Sequence, residues 1–238
     1  MVTSTGAEAG AAGADADCVA AVQRIVERSG GKFYNPKAYA QGKYGGASAP
    51  SGLYASDRDV FMFLIDGGSR LDVGPRAQLN RGFYVKNSEV GASTFELCAF
   101  MFNEVCGNHF IYGAQNIKTL SIRHTSGGPA KFDAQALPAL MDYTQASVSE
   151  DEALIRRAIE YRLPADVAEL DKLIAPFKFT ASERRSAVDF AKAEEGQCAT
   201  LWDLIQGFTA YARGFDYMDS RVNLETRAGS LLNLVSRT

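Results

Sequence analysis

DVFMFLI, residues 59–65, decides how the rest of the chain is read. Seven residues of dense apolar character, bounded by aspartates, suit a strand of a sheet covered on both faces. Working outward, DGGSRL (66–71) carries two glycines and is read as a turn, and RGFYVKN (81–87) as the next strand. STFELCAFMFNEV (93–105) suits a long strand buried on both faces, with a buried helix as the alternative. HFIYG (109–113) and NIKTLSIRH (116–124) complete a run of about five strands over 59–124, expected to form a mostly antiparallel central sheet.

From residue 132 the apolar period becomes helical. Asp133 is placed to cap FDAQALPALMDYTQA, and Ser149, followed by Glu150, Asp151 and Glu152, to cap SEDEALIRRAIEYR. Further helices are expected at 164–174, 180–195, 198–213 and 223–236. In the helix at 198–213, Leu201, Leu204, Ile205, Phe208 and Ala212 make an apolar stripe, with Trp202 and Thr209 at its margin, so it is read as a core helix docking on the sheet. Strands clustered in the middle and helices at the end define an α+β fold, a sheet packed by C-terminal helices.

At the other end, residues 1–13 are small and of low complexity and are read as a disordered tail. Val19, Val22, Ile25 and Val26 have helical spacing, and Ser29-Gly30-Gly31 closes that helix. Residues 14–238 are read as a single α+β domain, with a basic, aromatic loop over 31–56.

The chain has 238 residues and a net charge of −3. Residues 31–132 carry 11 basic and 7 acidic side chains, whereas 133–238 carry 12 and 17, so the middle is net positive and the C-terminal part net negative. That asymmetry is either chance, a surface for a polyanion, or a surface for the acidic part of a neighbouring copy. No apolar run reaches the roughly 18 residues of a membrane span, and the N-terminus lacks the basic and apolar segments of a secretory signal. The four cysteines fit no disulfide framework, which points to a reducing cytoplasm.

Catalytic signatures are sought without success. There is no glycine-rich phosphate loop ending in Lys-Ser or Lys-Thr, no GxSxG and no HExxH. Cys98, Cys106, His109 and His124 have the spacing of neither a zinc finger nor a knuckle. Cys106 and His109 flank Gly107-Asn108, a tight-turn signal that could bring the two side chains together across a hairpin; a structural turn is the preferred reading. Asp57, Asp59, Asp66 and Asp72 are read as solvated strand ends. No catalytic residue, metal or cofactor is therefore expected.

The pattern with most chemical content is cationic and aromatic. Lys32, Lys37 and Lys43 stand among tyrosines in a stretch without acids. Arg81, Tyr84 and Lys86 lie in a second such stretch, and Lys118 and Arg123 in a third. Cationic side chains neutralise phosphates and rings stack on unpaired bases, so these eight residues are the candidate nucleic-acid contacts. Strand alternation sets Arg81, Phe83, Val85 and Asn87 against Gly82, Tyr84 and Lys86; the alternative is that the rings are sheet core and the charges solvated.

Four stretches, DRDVFMFLID, RGFYVKNSEVGASTF, NEVCGNHFIYGAQN and TLWDLIQGFTAYA, resemble in order the phage/plasmid-like family known as domain of unknown function 932. The resemblance covers about 57–235 and rests on Asn87-Ser88-x-x-Gly91, Val105-Cys106-x-Asn108 and Thr200-x-Trp202 followed by Thr209-x-Tyr211. It implies an accessory protein of a phage or plasmid. In element order alone the chain is also similar to single-strand annealing proteins of the Rad52 type, which form rings with a basic groove and need no catalytic residue. Two functions follow as expectations: a non-enzymatic, homo-oligomeric single-stranded nucleic-acid-binding or annealing protein, or a phage structural or host-protein interaction protein without nucleic-acid affinity.

Overall fold

The computed structural model describes Ala20, Gln23, Arg24 and Glu27 and residues 33–34, 53–55, 59–74, 77–88, 94–103, 109–110, 120–123 and 128–236. The four N-terminal residues are helical, while the expected tail at 1–13 and most of the 31–56 loop lie outside the described residues. Seven strands form one sheet: β1 (Phe33–Tyr34), β2 (Leu53–Ala55), β3 (Asp59–Asp72), β4 (Gln78–Ser88), β5 (Thr94–Asn103), β6 (His109–Phe110) and β7 (Leu120–Arg123). The sheet runs β1-β3-β4-β5-β6, with β2 also on β3 and β7 also on β5. β1 and β2 pair antiparallel with successive stretches of β3, and β6 and β7 do the same along β5. The helices follow: α1 (Gly128–Gln145), α2 (Ser149–Glu160), α3 (Val167–Ile174), α4 (Ala181–Glu195), α5 (Leu201–Ala212) and α6 (Met218–Ser230), with a short 3₁₀ turn after α3 and another after α6. The fold is α+β.

The five expected strands of 59–124 are all present, and 94–103 is a strand rather than a helix. The turn expected at 66–71 is not there, because β3 continues to Asp72. Asp66 is buried, not a solvated strand end, and its Oδ1 accepts the Gly68 N–H at 2.8 Å, which satisfies that donor locally where the strand passes its two glycines. The chain leaves β3 instead at Gly74, whose φ of +93° is one that L side chains rarely adopt.

The chain divides into two compact units, one of residues 1–68, 82–99 and 114–146 and the other of 69–81, 100–113 and 147–238. In the first, Phe33, Phe61, Phe63, Phe83 and Tyr84 are buried, with Phe33 edge-on to Phe83 at 4.9 Å and Tyr84 tilted against Phe63 at 5.2 Å. α1 lies against β7, and Tyr143 packs with Ala99. That helix begins at Gly128, so the backbone of Asp133 lies inside it and does not cap it.

The second unit has an aliphatic core in which Leu71, Leu79 and Met101 of the strands meet Leu154, Leu204, Ile205 and Leu224 of the helices. α5 is buried almost throughout, Trp202 included, as its apolar composition demands. Thr200 and Asp203 close a capping box at its start. Gly207 lets α5 approach α4 closely: a Cβ there would stand 2.0 Å from the carbonyl oxygen of Ala187. At the start of α2, Ser149 is not the cap; Val148 holds that position without a side-chain bond, and the Ser147 hydroxyl accepts the Ser149 N–H at 3.2 Å.

Candidate functional site

Arg81, one of the eight candidate contacts, points into its own unit. It is 3% exposed; its Nε and Nη2 donate to Asp151 Oδ2 at 2.8 and 2.6 Å, and Nη2 donates to the Ser147 carbonyl at 2.8 Å. The acids of the first turn of α2 explain this. Beside Asp151, Glu152 accepts the Asp72 N–H at 2.7 Å, and Arg156 donates to the Asp72 carbonyl. Two of the three acids expected to serve the helix dipole, Asp151 and Glu152, thus also bind groups of the strands.

Tyr84 is 4% exposed and belongs to the aromatic cluster with Phe61 and Phe63. Alternation separated Arg81 from Tyr84 correctly, but both faces of β4 are covered here: Phe83, Val85 and Asn87 are buried as well. Lys86 is half-buried, its ammonium 5.1 Å from the Phe61 ring centroid. The backbone of Arg123 lies in β7 opposite Thr94. Lys32, Lys37, Lys43 and Lys118 lie outside the described residues.

His109 is partnered with Phe102 across the β5–β6 ladder. The Gly-Asn turn that could oppose Cys106 to His109 requires a different register, so the ladder gives no support to such a pair; Cys106 and His124 lie outside the described residues. Among the described residues no group of three or more His, Cys, Asp or Glu side chains could hold a metal ion. The Cys198 thiol is pushed up to about 11 by burial and by the Asp203 carboxylate, which keeps it a thiol at neutral pH.

One titratable pair is unusual. Arg221 donates from Nε to Glu225 Oε1 at 2.8 Å along α6, and Glu225 is fully buried. Burial pushes the Glu225 carboxyl up to about 7, against the opposing pull of Arg221. A carboxyl with no exposed surface has no route to a substrate in this conformation, so the pair acts within the fold. Nearby in kind, Asn103 Nδ2 donates to Gln206 Oε1 at 3.0 Å, again in the interior.

The residues that face outward were not singled out by the sequence. Phe190 near the end of α4 is 39% exposed and Tyr217 before α6 is 75% exposed. Phe190 contacts Tyr211 with ring centroids 5.9 Å apart, and Tyr211 meets Phe215 edge-on at 5.1 Å. Exposed acids Asp189, Asp216 and Asp219 adjoin these rings in sequence, and Arg213 is held by Glu194. A signal for Tyr217 exists in the sequence: it stands in a connection that neither flanking apolar stripe claims.

No protein-family model matches the chain, and no curated protein or solved structure matches it. The resemblance to domain of unknown function 932 therefore rests on the quoted motifs alone. Among the described residues no helix is long and apolar enough to cross a membrane.

Proposed function

We propose that this chain acts by binding rather than by catalysis, and that its partner is a protein, as in a phage structural or host-interaction role. The observation that carries this reading is the Arg81–Asp151 pair, which takes one of the cations of the expected phosphate surface into the interior. The exposed rings of Phe190 and Tyr217, with half-buried Tyr211 and Phe215 in the same segments, support it, because exposed rings with a polar rim mark protein contacts. The phage or plasmid setting rests on the motif resemblance, and a host cytoplasm as the site of action rests on the cysteine usage.

A single-stranded nucleic-acid-binding or annealing role, exercised as a homo-oligomer, is the second reading. Tyr34, 47% exposed on the short strand β1, favours it, because it lies between Lys32 and Lys37 in an acid-free stretch. In this reading Lys32, Lys37, Lys43 and Lys86 meet the backbone phosphates and Tyr34 stacks on a base. Titration of a fluorescent single-stranded oligonucleotide at low salt separates the two. The protein-partner reading expects no binding. Saturable binding that weakens steeply with salt, and that Lys37→Glu reduces, would overturn it.

A further inference from the structure

We propose that the acidic aromatic surface at the ends of α4 and α5 docks the lysine- and tyrosine-rich stretch 31–56 of a second copy of this chain. The inference rests on the protein-partner reading and names the partner. The surface is built: Phe190 and Tyr211 are in ring contact, Tyr211 and Phe215 meet edge-on, and Tyr217 is the most exposed large apolar residue described. Its charge is predominantly negative. Asp189, Asp216 and Asp219 are exposed beside the cations Lys192 and Arg213, the second of which is held by Glu194.

The complementary chemistry is present in the chain's own sequence. Residues 31–56 carry Lys32, Lys37 and Lys43 and no acid, together with Tyr34, Tyr39 and Tyr44, while Phe33 stays in the core of its own copy. Lysine ammonium groups are attracted both to ring faces and to carboxylates, and tyrosine rings stack on exposed rings. A two-fold arrangement makes the contact twice, each copy lending its basic stretch to the acidic face of the other, which closes the assembly at a dimer. The net positive middle and net negative C-terminal part of the sequence become the two halves of one interface.

The test is the mass of the full chain by sedimentation velocity, without nucleic acid. At low ionic strength a dimer is expected, with a dissociation constant that rises about tenfold or more in high salt, as exposed charges are screened. Tyr217→Ser, at a site too exposed to disturb the fold, and Asp216→Lys with Asp219→Lys should each shift the population towards monomer. The triple change Lys32→Glu, Lys37→Glu, Lys43→Glu should do the same. Mixing that triple variant with the Asp-to-Lys form should restore a heterodimer. A monomer at every concentration, or a dimer unaffected by both variant sets, would overturn the inference. A dimer unaffected by either set leaves the protein-partner reading standing, whereas saturable oligonucleotide binding sinks that reading whatever the mass.

Discussion

Two regions of this chain, β4 and the helix ends around α4 and α5, place their charges and rings differently. In β4 the cation and the ring that looked fit for a ligand are inside: Arg81 is held by Asp151, and Tyr84 lies among phenylalanines. In α4 and the connection that follows α5, segments that read as ordinary helix surface and turn, Phe190 and Tyr217 stand outward. The difference teaches that alternation along a strand separates two faces without saying which is wet. When both faces are covered, a polar residue on either one must find its partner inside. A helix end or a short connection has no such second cover, so a large ring there stays at the surface.

The largest expected effect comes from breaking the inward pair. Arg81→Ala leaves Asp151 and the Ser147 carbonyl without their donor and should destabilise the fold by about 4 kcal/mol, measured by urea unfolding. A variant that keeps its stability would show that Arg81 is held loosely enough to serve a ligand, and the contrast with Phe190 and Tyr217 would fail. Next comes the helix crossing. Gly207→Ala drives a Cβ into the Ala187 backbone and should cost about 3 kcal/mol. Gly196→Ala, at a φ of +76° but with nothing within 4 Å, should cost only about 1 kcal/mol. Equal losses would mean that close packing of α4 on α5 is not what Gly207 provides.

Glu225 sharpens the comparison through pH. Its folded carboxyl is pushed up to about 7 by burial, above its ordinary value of 4.5, so the folded state holds the proton more tightly. This stabilising contribution is fully present below the unfolded value and is lost as pH rises through about 7. Glu225→Gln should therefore flatten the fall in melting temperature between acid and neutral pH. An unchanged slope would assign that fall to other groups. The smallest effect is expected at Lys178, a non-glycine residue with φ of 58°. Lys178→Gly should stabilise by about 0.5 kcal/mol by relieving backbone strain, read as a small rise in melting temperature.

Much of the fold was legible in the residues themselves. DVFMFLI, the stretches that became β4 to β7, and most helical periods of the C-terminal part lie where the sequence put them, because apolar spacing records local geometry, although α6 spans Met218–Ser230 rather than 223–236. The Trp202 helix was legible as core for the same reason. The boundary at DGGSRL was not, since paired glycines read as a turn and nothing local in the sequence shows that β3 carries on to Asp72. Nor was the start of α1, where Gly128-Pro129 opens a helix that propensity begins several residues later.

The candidate surface divides along the same line. Sequence alone determined which residues carry charge and aromatic rings, and that no familiar catalytic spacing is present. Only the tertiary structure decided that Arg81 meets Asp151, a partner 70 residues away, and that Tyr217 meets solvent. Exposure depends on what packs over a side chain, and that cover comes from segments distant in the chain. Periodicity reports the direction in which a side chain leaves its own backbone, and says nothing of what waits there.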